Sequence, residues 1–187
     1  MAIDKFFRER RKWQNPEALL FSIGLKRGFT FIDVGCGTGF FAIPAAIIVG
    51  ENGRVYGLDP DSEAIDELRK EARKKGLQNL NLRVGTAEET VLCKSCAHIV
   101  FFSIVLHDFN DTTKVLRNAK KMLKYTGRLV NLDWKKEPME LGLPLERRFS
   151  EKKAEDIIES ASFEIETIKE VSHYFYLIIA KHGTICS

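Results

Sequence analysis

No window of this chain approaches the roughly 20 consecutive apolar residues that a membrane-crossing helix needs, so a helical span is excluded. Cysteine is scarce. The four present, at positions 36, 93, 96 and 186, do not make the disulfide framework of a small secreted domain. Charge of one sign is lacking as well, because 29 Lys and Arg against 26 Asp and Glu leave a formal net charge of +3, which requires no polyanionic partner while permitting one. Met1-Ala-Ile-Asp-Lys-Phe-Phe-Arg8 has no apolar secretory core, so a cytoplasmic location is expected. What remains is ordinary globular composition, 44% apolar and 29% charged, in 187 residues, a length that predicts a single domain with one sizeable core.

Cys93-Lys-Ser-Cys96 is a lone C-x-x-C with no second pair of Cys or His at metal-ligand spacing. It is open to three readings: a redox dithiol, half of a metal site, or two small residues in a loop before a strand. The loop is the expectation, and no metal site is predicted.

Among the features present, the run Phe31-Ile-Asp-Val-Gly-Cys-Gly-Thr-Gly-Phe40 followed by Val55-Tyr-Gly-Leu-Asp59 says most about function. The apolar run through Asp33 reads as a buried parallel strand. Gly35, Gly37 and Gly39 then let the main chain turn tightly and approach a ligand, where a side chain would occupy the ligand's space. Asp59 ends a second strand-like run, twenty residues beyond Gly39, where a carboxylate can accept both hydroxyl hydrogens of a ribose. The spacing is G-x-G-x-G, not the G-x-G-x-x-G of dinucleotide binders, and Asp33 would repel a pyrophosphate while suiting a ligand with an amine and a sulfonium. Those properties point to S-adenosylmethionine.

Strand and helix signals alternate from Phe29 to Asp133, which predicts βαβ units and an α/β fold with a mostly parallel sheet and helices on both faces. Strands are expected at Phe29 to Val34, Arg54 to Leu58, Leu80 to Val84, Ala97 to Ser103 and Arg128 to Asp133, the third and fourth of them at least half buried. The helix after the first strand should turn Phe40, Ile43, Ala46 and Ile47 to one side, with Pro44 near its start. Helices over about Ser62 to Lys75 and Asp111 to Leu123 follow, and Ser150 can cap another through about Ser160. Residues 134–149, with Pro138, Gly142 and Pro144, form a long irregular connection of the kind that often carries function. Phe163 to Val171 and Tyr174 to Ala180 are separated by a link too short for a parallel crossover, so the sheet should have seven strands and end in a reversed hairpin.

These residues resemble the class I S-adenosylmethionine-dependent methyltransferases, and within them the small-molecule group that includes the ubiquinone/menaquinone C-methyltransferases. The likeness covers most of the chain. It rests on Asp33-Val-Gly-Cys-Gly-Thr-Gly39, Tyr56-Gly-Leu-Asp59, Gly85-Thr-Ala-Glu88, Ile99-Val-Phe-Phe-Ser103 with Leu106-His-Asp108, and Gly127-Arg-Leu-Val-Asn-Leu-Asp133. The resemblance implies a Rossmann-like three-layer sandwich of strand order 3-2-1-4-5-7-6 with strand seven antiparallel. It implies S-adenosylmethionine as cofactor, with Gly35, Cys36, Gly37 and Gly39 on its methionine side, Asp59 and Pro60 at its ribose, Thr86 and Ala87 flanking its adenine, and Ser103 also nearby. The family usually has an acidic residue where Thr86 stands, and commonly an aspartate at the opening of the fourth strand, where this chain has Ala97-His98.

Methyl transfer from a sulfonium is an in-line displacement in which alignment matters more than any covalent step. In open α/β sheets ligands lie at the carboxyl ends of the strands, so His107 and Asp108, following the fourth strand, are the catalytic candidates, His107 first as a base. Both can equally serve to hydrogen-bond the loop. Asp133, Arg147, Arg148 and His173 come second, the arginines as possible holders of an anionic acceptor. Residues 1–28, with Phe6, Phe7 and Trp13 among Lys5, Arg8, Arg10, Arg11 and Lys12, are expected to cap the site or to pack as an ordinary amphipathic helix. The leading expectation is a methyltransferase for a small molecule, its acceptor pocket built from that cap and residues 134–149. A corrin-ring methyltransferase or decarboxylase, a non-catalytic binder of the cofactor and a nucleic-acid methyltransferase are the alternatives. Against the last, Ser103-Ile-Val-Leu106 replaces the Asn/Asp-Pro-Pro-aromatic grip on a flipped base.

Overall fold

The computed structural model describes residues 10–140 and 142–183; Lys5, Phe6, Phe7, Arg8 and Cys186 lie outside them. In chain order the elements are α1 (Pro16–Ser22), β1 (Thr30–Val34), α2 (Ala42–Val49), β2 (Arg54–Asp59), α3 (Ser62–Lys74), β3 (Leu80–Val84), β4 (Ala97–Ser103), α4 (Thr112–Met122), β5 (Leu123–Trp134), α5 (Glu151–Ser160), β6 (Phe163–Glu170) and β7 (Phe175–His182). Single 3-10 turns at Leu106–Asp108 and Leu145–Arg147 break the connections after β4 and β5. The seven strands follow the expected order, β3-β2-β1-β4-β5-β7-β6. β7 runs antiparallel to β5 and to β6, which is the reversed terminal hairpin. The chain divides into two compact units, residues up to Thr86 and residues from Ala87 onward.

In the first unit β1, β2 and β3 pair in parallel. Phe31, Ile32 and Val34 from β1 and Val55 and Leu58 from β2 are buried, as the continuous apolar runs require of strands covered on both faces. β3 departs from expectation. It is the edge of the sheet, Asn81, Arg83 and Val84 are exposed, and a strand with a neighbour on one side only has less to bury against. α3 is amphipathic, with Ala64, Ile65, Leu68 and Ala72 inward, and Asp61 caps its start by accepting the Glu63 and Ala64 amides. α2 is apolar almost all round, so the sequence marks no stripe, and packing alone chooses its face. Ile47, expected with Ile43 and Ala46 on the buried side, is 59% exposed.

In the second unit Ile99 to Phe102 of β4 and Leu129, Val130 and Leu132 of β5 are buried. β5 begins five residues earlier than the expected Arg128, and a register shift between Ala97 and Ile99 of its partner absorbs the extra length. β7 is buried along most of its length, whereas β6, the other edge, alternates. Ser150 caps α5 as expected, accepting the Lys153 amide at 3.2 Å. Cys93 and Cys96 form a disulfide, which corrects the expectation of an unbonded loop: a turn with Ser95 at φ +47° brings their Cα atoms to 6.1 Å, within the span a disulfide bridges. No helix of the described residues is long and apolar enough to cross a membrane.

Asn79 ties the turn before β3 to the end of α2, donating from Nδ2 to Ala46 O at 2.8 Å and Gly50 O at 2.9 Å. Removing that amide costs each carbonyl one of two hydrogen bonds and unties the segment, leaving only the Gly50 amide on Ala46 O at 3.3 Å and the Gly53 amide on Gly50 O at 2.9 Å. Asn79→Ala should therefore destabilise the protein by about 1–2 kcal/mol, read as a lower urea midpoint at unchanged slope.

Candidate functional site

In the first unit the glycine turn hangs on the end of β2. Gly35 N–H and Cys36 N–H both donate to Leu58 O, at 2.7 and 3.1 Å, and Gly37 N–H donates to Asp59 Oδ2 at 2.7 Å. Asp59 Oδ1 accepts the Asp61 amide at 3.0 Å, so the carboxylate is held by main chain on both oxygens. Each oxygen keeps a further lone pair, and the side chain is half-buried, so Asp59 can still accept the two hydroxyls of a ribose. Pro60, next to it, is exposed.

The glycines have different reasons to be glycine. Gly37, at φ +50°, has open space where a Cβ would stand, which is the cradle expected beside a ligand. At Gly39, φ +93°, a Cβ would collide with Leu68 and crowd Ile43, so packing inside the unit demands glycine there, not a ligand's approach. Gly57 in β2 is required in the same way by Cys36 Sγ and Leu82. Cys36 itself is buried, and burial, with Asp33 and Asp59 adding to it, drives its thiol far above the ordinary range.

Asp33 is 2% exposed, so it can act on a ligand through its field and not by direct contact. Burial lifts its carboxyl to a pKa of about 7, against the pull of Arg10, with Asp59 raising it further and the Ala42 amide lowering it. The Arg10 guanidinium lies 4.0 Å from the centroid of the Phe40 ring and donates from Nε to Gln14 Oε1 at 2.7 Å. Its own pKa falls to about 10, by burial first with Asp33 opposing, so it stays charged. Thr86 is exposed at the end of this unit.

In the second unit Ala87 is buried and its carbonyl accepts from Asn118 Nδ2 at 3.0 Å. Ser103 is half-buried, and Ile104 after it sits at φ +62°, an uncommon conformation for a β-branched residue and a strain of the kind found near functional sites. The turn beyond places His107 with its side chain 1% exposed and Nδ1 3.1 Å from Asp133 Oδ2. Asp133 is fully buried, and its Oδ1 accepts the Trp134 amide at 2.8 Å. A carboxylate only accepts, so the Nδ1 hydrogen points at Asp133 and the lone pair of a neutral ring is on Nε2. Nε2 is buried without a hydrogen-bond partner, and Asp108 Oδ1 stands 3.5 Å away while accepting from Arg147 Nη2 at 2.7 Å.

Burial works most strongly against charge on His107, but the Asp133 hydrogen bond and the charges of Asp133 and Asp108 outweigh it and raise the imidazole above its ordinary value, with Arg147 pulling back. Beside this pair Asn131 is fully buried, next to the Tyr176 hydroxyl, and its amide atoms lack well-aligned partners. Burial pushes the Tyr176 phenol well above its ordinary range, and Asp133 adds to that. Neither Asn131 nor Tyr176 was singled out from the sequence. A period of two along β5 puts Asn131 on the face of Asp133, a signal that was available, whereas Tyr176 faces Asp133 only through the β5–β7 register.

Arg148 is not an acceptor residue. It is 4% exposed and donates to Leu143 O at 2.6 Å, Lys135 O at 3.2 Å and Glu137 O at 2.9 Å, stapling the irregular connection to itself. Arg147 is half-exposed. His173 is exposed in the terminal hairpin, its ring edge-on to Tyr174. Among the described residues no group of three His, Cys, Asp or Glu side chains is placed to hold a metal.

A family model described as "Methyltransferase domain" matches residues 25–177. A crystal structure of a SAM-dependent methyltransferase from Aquifex aeolicus superposes with a TM-score of 0.87 at 30% identity, covering 91% of each chain. The chain belongs to the methyltransferase domain family, in its class I, S-adenosylmethionine-dependent form. A Sulfolobus acidocaldarius protein named as a cobalt-precorrin-6B C(15)-methyltransferase (decarboxylating) is 35% identical over 92 residues, 47% of this chain and 48% of its own length. The aklanonic acid methyltransferase of Streptomyces sp. (strain C5) is 34% identical over 102 residues, 54% of this chain and 46% of its own length. The chain thus spans about half the length of these curated relatives. The family's cofactor fits the residues present: open space over Gly37, a fixed two-oxygen acceptor at Asp59 and, two residues before the turn, a buried Asp33 carboxyl whose charged form a cationic ligand favours.

Two outcomes are expected of this geometry. Asp59→Ala should weaken cofactor binding by roughly 1.5–3 kcal/mol, measured by calorimetry. A cationic ligand favours ionised Asp33, so cofactor affinity should rise as pH rises through about 7, with proton uptake by buffer, and Asp33→Asn should flatten that dependence.

Proposed function

We propose that this protein transfers a methyl group from S-adenosylmethionine to a small-molecule acceptor, and that His107 takes the acceptor's proton. The observation that supports this most directly is the buried His107–Asp133 pair with Nε2 unpartnered. The cofactor supplies the electrophilic methyl group on a charged sulfur. In this reading Asp59 and the turn at Gly35 and Gly37 bind and orient it, and the family resemblance puts Thr86 and its chain neighbour Ala87 by the adenine. Asp133 fixes the tautomer and steadies the imidazolium formed on proton uptake. Asp108 holds Arg147 until an anionic acceptor replaces it as the guanidinium's partner, which favours acceptors bearing a carboxylate, an enol or a phenol.

The single-domain organisation belongs to the same proposal, with residues 1–28 as cap and residues 134–149 on the acceptor side, and so does the cytoplasmic setting. A nucleic-acid acceptor has nothing in these residues to favour it. A second reading has specific support: the acceptor is a corrinoid precursor, the substrate class named for several relatives. Methyl incorporation from labelled cofactor into panels of acidic aromatic, enolic and tetrapyrrole acceptors separates the two. Binding of the cofactor with no methyl gained by any member would instead leave a non-catalytic binder.

His107→Gln should lower turnover by about 10²–10⁴-fold while leaving cofactor affinity nearly unchanged. Because the base must be neutral, activity should rise with pH to a midpoint above the ordinary histidine value of 6.5, and Asp133→Asn should move that midpoint down. A midpoint that Asp133→Asn leaves in place would remove His107 from the role.

A further inference from the structure

We propose that Cys93 and Cys96 form a thiol–disulfide exchange site whose oxidised state clamps the loop of residues 87–96 onto α4, and so tunes the cofactor-side residue Ala87. The loop has no regular structure, and its anchors converge on one helix. At its start Asn118 Nδ2 takes Ala87 O at 3.0 Å and Glu88 O at 2.8 Å. At its end Ser95 N–H and Cys96 N–H donate to Lys121 O and Met122 O, at 2.9 and 3.0 Å, which satisfies carbonyls at the close of α4. Between these anchors Leu92 N–H reaches only Met122 Sδ, at 3.3 Å, a weak acceptor.

The disulfide closes the four-residue turn that carries the second set of anchors, with Ser95 held at φ +47°. Opened, that turn has no reason to keep Ser95 in a left-handed conformation that costs a non-glycine residue energy. Relaxation there loosens Ser95 and Cys96 from α4, and the main chain carries the slack back toward Ala87. Both cysteines are half-buried, so a small reagent can reach them, whereas Cys36 is buried and outside the exchange. The partner is a low-molecular-weight disulfide of the glutathione type. One thiolate of the pair attacks a sulfur of that disulfide, forming a mixed disulfide and releasing one thiol. The second thiolate then displaces the other thiol, so two protein thiols are oxidised as one external disulfide is reduced to two thiols. Dithiols run the sequence in reverse.

The link to Ala87 rests on the cofactor reading above; the exchange site itself does not. The test uses the full chain with Cys186→Ser, equilibrated with glutathione disulfide or with dithiothreitol. Thiols are counted by alkylation and mass, amide exchange is followed over residues 87–96, and affinity for S-adenosylhomocysteine is measured by calorimetry. Expected is the loss of two alkylatable thiols under oxidation, faster amide exchange at residues 92–96 after reduction, and affinity about fivefold weaker in the reduced state. A Cys93→Ser, Cys96→Ser double variant should show the reduced-state values under both conditions. Thiols that stay free in glutathione disulfide, or exchange and affinity equal in both states, overturn the proposal. Exchange that responds to redox state while S-adenosylhomocysteine binds in neither supports the clamp and removes the cofactor reading instead.

Discussion

The Asp59 carboxylate is the interaction on which the glycine turn of the first unit depends. One oxygen takes the Gly37 amide and the other the Asp61 amide, so a single side chain joins the turn after β1 to the entry of α3. Neither segment can shift without dragging the other. A carboxylate held in this way is pre-oriented before any ligand arrives, and a pre-oriented acceptor loses little freedom on binding. Asp61 extends the arrangement by capping α3, so the hydrogen bonds that aim Asp59 also fix a helix start.

Buried ionisable groups mark both halves of the candidate chemistry and are used differently. Asp33, with its pKa near 7, destabilises the empty fold as pH rises, since burial strips an ionised carboxylate of water and the Arg10 charge and the Ala42 amide offset that only in part. A protein keeps such a group where a positive ligand compensates for it. His107 has its compensation built in: Asp133 on one nitrogen and Asp108 near the other, with Arg147 balancing the cluster. Protonation of His107 therefore stabilises the fold below its unfolded pKa, and that stabilisation fades as pH rises through the higher folded value.

Family membership does not choose the acceptor, because one fold hosts many reactions. The features that do bear on it are local: the strained exit from β4 at Ile104, the unpartnered Nε2, the Asp108–Arg147 pair, and the buried Asn131 beside Tyr176. All of them lie in the second unit. Arg148, the other cation of the irregular connection, is committed to three carbonyls and serves to shape that connection.

The sequence by itself determined the element order, the reversed terminal hairpin, the glycine turn and the place of Asp59 at the end of a strand, because each follows from local periodicity, turn chemistry or spacing along one segment. Tertiary structure alone decided the rest. α2 is apolar all round, so only packing could turn Ile47 outward; β3 became an edge because no strand follows it in the sheet. Gly39 and Gly57 look like ligand or turn glycines until Leu68, Ile43, Leu82 and Cys36 are seen to fill the space of their missing side chains. The His107–Asp133 pair joins residues 26 positions apart, and Cys93 meets Cys96 through a turn whose dihedral angles no composition encodes. Such contacts depend on where chain segments meet, and a linear pattern carries only what a segment does on its own.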